Sequence, residues 1–198
     1  MDKTAWMQWR SKGIGASDTP IILGVSPWKT RKELWEEKTG LVKKEYKSNW
    51  AIDRGNRLEP LARTHYELMV GFDSPPCFVQ HYKYSFIRAS LDGYNKSNNI
   101  ILEIKCPGKK DHTNALNGLV PMKYYPQIQH QLFVTGSKKC HYFSFDGHNG
   151  CIVEVEADTA YMTSMLVYLI DFWDCVLTKK EPSQKIEMVQ PRTSIVGF

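Results

Sequence analysis

Two carboxylates and a lysine carry the chemistry this sequence can offer. In the run Ile100-Ile101-Leu102-Glu103-Ile104-Lys105, strand alternation sets Ile100, Leu102 and Ile104 on one face and Glu103 with Lys105 on the other. Upstream, Ile87, Ala89 and Leu91 alternate with Arg88, Ser90 and Asp92 in the same way. If the two strands pair, as consecutive strands usually do, Asp92 comes near Glu103. Two carboxylates so placed repel each other, and a divalent cation relieves the repulsion; oxygen donors favour magnesium, with manganese as the substitute. A lysine two residues along can orient or deprotonate an attacking water, and metal-assisted phosphodiester hydrolysis requires few other groups. An isolated E-x-K is far more often the solvent face of an edge strand, so the pattern gains weight only from its surroundings.

The elements that must position these residues are legible from period and punctuation. Residues 4–12 read as a short amphipathic helix ending at Gly13, after which Ser17 is expected to cap a turn of helix from Asp18 to Leu23, closed by Gly24. Thr30 opens a helix that carries Leu34 and Trp35 and stops at Gly40. Residues 50–70 form a longer helical pattern with Ala51, Gly55, Leu58, Ala62 and Met69 recurring at three or four and Pro60 as a kink. Past Pro75-Pro76 the pattern turns to strands over 77–86, 87–92 and 100–105, a meander with turns at Gly93 and Asn98-Asn99. A polar loop with Gly108, a helix over 122–134, strands at 140–145 and 151–156 and a last helix over 158–177 follow. The last helix stripes Tyr161, Met165, Leu169, Phe172 and Val176. The expected fold is α/β, a single domain over 1–198 with a mixed central sheet flanked by helices and 179–198 as a C-terminal arm.

Composition bounds the function. At 198 residues and 42% hydrophobic the chain can build one core. A formal charge of +5 suits a polyanionic partner without demanding one, and the pairs Lys43-Lys44, Lys109-Lys110, Lys138-Lys139 and Lys179-Lys180 suit a phosphate backbone or merely solubility. Five cysteines without a CxxC pair indicate neither a disulfide framework nor a zinc ribbon. No histidine spacing suits zinc on a helix. No segment approaches ~18 apolar residues, so a cytoplasmic protein without membrane insertion is expected. Trp6, Trp9, Trp28 and Trp35 could stack on bases, but aromatics at helical spacing read first as core.

Several ordered segments together resemble the lambda-type phage exonucleases and the related YqaJ viral recombinase nucleases, of the PD-(D/E)XK superfamily. They are Arg10, Gly15-Ala16-Ser17, Arg54-Gly55-Asn56-Arg57-Leu58-Glu59, Ser90-Leu91-Asp92-Gly93, Leu102-Glu103-Ile104-Lys105-Cys106-Pro107 and Tyr124-Tyr125-Pro126-Gln127-Ile128-Gln129. The superfamily's naming proline is Leu91 here. The resemblance implies a PD-(D/E)XK core and a magnesium-dependent, 5′-to-3′ exonuclease that degrades one strand of linear duplex DNA to leave a 3′ overhang for phage-type recombination by strand annealing. It makes Asp92, Glu103 and the Ile104 carbonyl metal ligands, with Glu59 completing the acidic set. Lys105 would activate the water, Gln127 and Tyr124 would lie beside it, and Arg10, Ser17 and Ser90 would hold the 5′-terminal phosphate. It further implies a ring-shaped homotrimer, DNA ends as substrate, a single-strand annealing protein as partner, and the bacterial host cytoplasm as location if phage-encoded. Iron-sulfur relatives carry three clustered C-terminal cysteines, whereas Cys175 stands alone at that end, so no cluster is expected. An endonuclease of the same superfamily and a non-catalytic DNA-end-binding module are the alternatives; the acidic set with its lysine argues against the second.

Overall fold

The computed structural model describes residues 3–42, 50–187 and 196–197; the Lys43-Lys44 pair and residues 188–195 of the C-terminal stretch lie outside the described residues. Helix α1 (Lys3–Ser11) leads to a short strand β1 (Ile14–Gly15), a 3-10 turn (Ala16–Asp18) and the single-turn α2 (Thr19–Ile22). Helix α3 (Arg31–Thr39) has reciprocal caps at its start. Thr30 Oγ1 accepts from the Glu33 amide at 3.2 Å and the Glu33 carboxylate accepts from the Thr30 amide at 2.7 Å, which satisfies two otherwise orphaned donors. It ends at Gly40 in the left-handed region, φ 76°. Helix α4 (Trp50–Val70) runs through Pro60 and buries Ala62 and Tyr66, whereas Met69 of the expected stripe is exposed.

The expected meander is divided. Strand β2 (Cys77–Gln80) pairs antiparallel with β3 (Ile87–Leu91), and β1 pairs parallel with β3's other edge. After Asp92 the chain enters a second sheet: β4 (Gly93–Asn95) lies antiparallel to β5 (Ile100–Lys105). The stretch read as a polar loop contains helix α5 (Lys109–Leu116), followed by β6 (Val120–Pro121) and α6 (Tyr125–Thr135). This crossover brings β7 (Lys139–Phe145) parallel to β5, and β8 (Gly150–Glu156) closes the order β4-β5-β7-β8. Helix α7 (Thr159–Thr178) is capped by Asp158, whose carboxylate accepts from the Tyr161 amide at 3.1 Å, and β9 (Val196–Gly197) pairs with β6. The architecture is mixed α/β, with helices on both faces of the sheet that carries β5. The segment 181–187 returns along the helices: Lys32 pairs with Glu181 at 3.0 Å and the Tyr168 hydroxyl bridges the backbone N–H and carbonyl of Glu187.

Two cores result. One face of β5 and β7 puts Leu102, Ile104, Phe143 and Phe145 against Ala62 and Tyr66 of α4. On the other, Ile101, Cys140 and Tyr142 join Ile128 and Leu132 of α6 and the α7 stripe Tyr161, Met165, Leu169, Phe172 and Val176. By length and apolar content α7 would suffice to cross a membrane, which corrects the expectation that no segment approaches that content; here its stripe forms core. The Glu103 face of β5 is therefore covered by α6 and is no solvent face: Glu103 is 1% exposed.

Helix α6 is the axle between these parts, because three consecutive buried polar side chains reach three different neighbours. Gln129 donates to the Glu156 carbonyl and accepts from the Asp158 amide, both at 2.9 Å. Gln131 donates to Glu103. His130 lies 2.9 Å from the Arg88 carbonyl through Nε2 and 2.7 Å from Thr19 Oγ1 through Nδ1. A carbonyl only accepts, so Nε2 carries the proton and Nδ1 accepts from the hydroxyl, the neutral tautomer.

Burial holds His130 at about 4, below the ordinary 6.5. The unfolded chain therefore binds a proton that the folded chain refuses between those values, so stability is full above pH 6.5 and falls as pH drops toward 4. The gap corresponds to as much as about 3 kcal/mol. Urea unfolding of the wild type should show this loss; His130→Gln should be less stable at pH 7 but flatter across the window. Equal slopes in the two proteins would acquit His130.

Candidate active site

Asp92 occupies the joint where β3 ends and β4 begins. Gly93 stands opposite Leu102 in register, so one residue back the chain sets Asp92 opposite Glu103 although β3 and β5 never pair directly. The joint is held from two sides. The Asp92 Oδ2 accepts from the Ile104 amide at 2.8 Å, and the Arg63 guanidinium of α4 donates to the carbonyls of Asp92 and of Ser74, the latter at 3.2 Å. The close approach demands a glycine next door: a Cβ at Gly93 would stand 2.6 Å from the Ser74 carbonyl oxygen and 3.0 Å from Leu102 side-chain atoms. Gly93 is thus a strand residue chosen for contact, not the turn its type suggested.

Glu103 is gripped by three donors. Lys105 Nζ and Gln127 Nε2 both donate to Oε1, the glutamine at 2.6 Å, and Gln131 Nε2 donates to Oε2. Burial together with the charge of Glu103 pushes the Asp92 carboxyl well above the usual carboxylate range, and Glu59 adds to the same effect. Burial alone would lower the Lys105 pKa, but Glu103 and Asp92 hold it above the ordinary lysine value. Two crowded carboxylates and one ammonium leave an electrostatic deficit of positive charge. That deficit, with carboxylate oxygens beside the Ile104 backbone, suits a hard divalent cation that keeps several waters. Among the described residues no group of three or more His, Cys, Asp and Glu side chains gathers for a metal, so the protein would supply two carboxylates and a carbonyl. Glu59 lines the same cleft, its Oε1 accepting from Arg63 at 3.0 Å.

The cleft, about 680 Å³, is lined by Glu59, Asp92, Ile104 and Lys105 on its floor and by Trp28, Trp50, Lys123 and Tyr124 on its walls. Lys105 lies 5.3 Å from the Tyr124 ring, and Lys123 stands 5.2 Å from the rings of both Trp28 and Tyr124. Trp28 is 65% exposed and Trp50 70%; of Trp6, Trp9, Trp28 and Trp35, Trp35 alone is buried in the core. Trp6 and Trp9 instead line an adjoining recess of about 220 Å³ with Arg10, Ser17, Ser90, Asp92 and Gln127. Arg10, Ser17 and Ser90 are thereby brought together beside Asp92.

Ser17 does not cap a helix. It lies inside the 3-10 turn, exposed, and accepts from Arg10 at 2.5 Å; the Gly15 amide donates instead to Asp18 at 3.0 Å. The four residues of α2 give no helix dipole of consequence, so anion affinity in the recess must come from Arg10 and hydroxyls. Asp18 anchors this corner: burial would raise it, but Lys38 at 2.8 Å and Arg10 hold it down to about 2. Gln131, Arg63, Lys123 and Asp18 were not indicated by the sequence; only Gln131, four residues beyond Gln127, carried a signal, since that spacing repeats a helix face.

Comparison with known proteins follows the same line. A family model described as the YqaJ-like viral recombinase domain matches residues 5–138. The protein YqaJ of Bacillus subtilis (strain 168) is 32% identical over 189 residues, 92% of this chain and 59% of that protein, and protein R354 of Acanthamoeba polyphaga mimivirus is 26% identical over 149 residues, 68% of this chain and 27% of its own. The chain thus spans about three fifths and about a quarter of the lengths of these two relatives. Among solved structures, the alkaline exonuclease LHK-Exo from Laribacter hongkongensis, in complex with dAMP, superposes with a TM-score of 0.76 at 23% identity, over 90% of this chain and 95% of that one. A phage related exonuclease from Haemophilus somnus 129PT gives 0.57 at 13%, over 85% and 93%. These two likenesses are likenesses of fold.

Gly93→Ala tests the joint. The added methyl must push β4 off Leu102 or off the Ser74 carbonyl, an overpacking cost of about 1–3 kcal/mol, and Asp92 moves with it. Chemical denaturation should show that loss, whereas the same change at Gly108, whose Cβ meets nothing within 4 Å, should cost far less.

Proposed function

The chain belongs to the YqaJ-like viral recombinase family, and from that premise we propose that it is a magnesium-dependent exonuclease acting 5′-to-3′ on one strand of linear duplex DNA. The observation that carries this reading is the convergence of Asp92 and Lys105 on the floor of one open cleft, with the buried Glu103 carboxylate hydrogen-bonded to Lys105 and raising the Asp92 pKa by its charge. The chemistry supplied by a bound divalent cation is activation of water and neutralisation of charge on the phosphate and leaving oxygen. Asp92, Glu103 and the Ile104 carbonyl would hold it, with manganese as a substitute for magnesium.

The chain's own groups do the rest. Lys105, kept charged by its carboxylate neighbours, orients the water and offsets phosphate charge through its Nζ. Gln127 directs its amide N–H at the same oxygen as Lys105, so both can turn together to a water between them. Tyr124 presents its ring to Lys105 and walls off solvent. Arg10, a permanently charged planar fork, with Ser17 and Ser90, takes the 5′-terminal phosphate beside Asp92. Each cut exposes a new 5′-phosphate, which re-enters this recess and biases movement in the 5′-to-3′ direction. The resemblance extends the reading to a homotrimeric ring, a 3′ overhang handed to a single-strand annealing protein in phage-type recombination, and action in the cytoplasm of a bacterial host.

Linear duplex labelled at either end, incubated with magnesium and then with EDTA, should lose its 5′ label first and only in the presence of the metal. A covalently closed circle should survive; nicking of the circle would favour an endonuclease. Asp92→Ala, Glu103→Ala and Lys105→Ala should each reduce hydrolysis by about a hundredfold or more while duplex binding persists. Arg10→Ala should digest 5′-phosphorylated ends more slowly and lose most of its preference over 5′-hydroxyl ends. An unchanged ratio of the two rates would remove Arg10 from the recess, and a monomer in light scattering with distributive digestion would remove the ring.

A further inference from the structure

Each of the two carboxylates has one oxygen pinned by an uncharged N–H alone. For Asp92 the donor is the Ile104 amide on Oδ2. For Glu103 it is the Gln131 side chain on Oε2, while Lys105 and Gln127 share Oε1. Gln127 and Gln131 lie one turn apart on α6, so a single helix face delivers two amides to the two oxygens of one carboxylate. They are not equivalent. Gln127 lines both the recess and the groove beside Trp28, but Gln131 is 0% exposed and lines neither.

The Gln131 amide can sit only one way round. Its Oε1 is buried without a hydrogen-bond partner, a costly arrangement that the side chain accepts in order to aim Nε2 at Glu103. Turned over, it would set that oxygen against a carboxylate oxygen, two acceptors in contact. A neutral donor also differs from a cation at this place: it fixes the carboxylate without cancelling the charge that a divalent ion needs.

We propose that Gln131 is the positioning residue of the metal centre, clamping Glu103 Oε2 so that Oε1 alone is presented to a divalent cation. The inference rests on the function proposed above. Lys105, which opens on the cleft, and Gln127, which opens on the recess, can leave Oε1 for a water or a phosphate, whereas Gln131, enclosed, has nowhere to go. Glu103 then binds through one fixed oxygen, and the rotamer freedom of its carboxylate is removed before the metal arrives. Loss of such an outer partner typically weakens metal affinity 10- to 100-fold.

Gln131→Met keeps length and volume and removes the donor; Gln131→Glu keeps the shape and replaces the donor with an acceptor. Manganese binding to the full chain, measured by calorimetry without DNA, should weaken at least about 10-fold in Gln131→Met and further in Gln131→Glu. For Gln131→Met, hydrolysis at saturating manganese should fall by a much smaller factor than affinity, because the reacting groups are intact. A purely structural residue would lower the melting temperature and leave the manganese Kd of the folded fraction within about twofold, and that result overturns the proposal. So does a loss at saturating metal as large as the loss of affinity. If Gln131→Met does not fold, Gln131→Glu read at the same metal concentrations decides alone. Wild-type protein that binds no manganese and cuts no DNA would instead sink the nuclease reading, and this inference with it.

Discussion

Like charge held in low dielectric is the constraint on which the rest depends. Asp92 and Glu103 sit where the fold would be most stable with something apolar, and burying an uncompensated carboxylate costs several kcal/mol. The surrounding structure is arranged around that cost. Ile104, Gln127, Gln131 and Lys105 donate between them to three of the four oxygens, and Arg63 reaches across from α4 to hold the backbone at Asp92. None of these donors comes from the same element as the carboxylate it serves except Lys105, so the site exists only when β4, β5, α4 and α6 are all assembled.

The division of the sheet follows from the same requirement. Had the strands formed one continuous meander, β3 would lie beside β5 and Ser90 would share one sheet with Glu103 and Lys105. Instead the chain switches sheets at Asp92, so the first sheet carries Ser90, with Arg10 and Ser17 on the segments flanking its strand β1, to one side of the joint and the second carries Glu103 and Lys105 to the other. His130 ties the two together, taking the Arg88 carbonyl of β3 from the helix that also covers β5. The recess and the cleft are therefore neighbours because of a topological switch, and Asp92, which lines both, is the residue at the switch.

Much of this was legible because strand alternation and helix caps are local. The Thr30 cap, the Gly40 stop, the α7 stripe and the shared parity of Glu103 with Lys105 all depend on residues within a few positions of one another. What escaped depends on distant partners. Gly93 reads as a turn until Ser74 and Leu102 are placed against it, and Lys109 to Leu116 reads as loop because so polar a run reveals its buried pair, His112 and Ala115, only once β7 and β8 lie beneath it. Ser17 reads as a cap by type, yet it lies inside the 3-10 turn, where the Asp18 carboxylate, paired with Lys38, accepts from the Gly15 amide. Trp28 misled for the opposite reason: it reads as core by type, but the cleft it borders leaves it exposed.

On the proposed reading, the charge pattern makes cation and DNA mutually dependent ligands. The floor of the cleft carries Asp92 and Glu59, with the buried Glu103 paired to Lys105, and without a cation it repels a phosphate backbone at the very point where a bond must break. The walls are different. Lys123 spreads its charge over Trp28 and Tyr124 while pairing with Asp111 at 2.6 Å, and Arg54 lies 5.6 Å from the Trp50 ring. Those groups offer stacking surfaces and cations to a strand that passes along the rim, whatever the floor holds. A divalent ion inverts the sign of the floor alone. Affinity of the rim for DNA is then nearly independent of metal, whereas the scissile phosphate and the metal each raise the affinity of the other by the same factor, as linkage requires. A net charge of only +5 suffices under this arrangement, because the positive charge that matters most arrives with the metal and stands where the chemistry occurs.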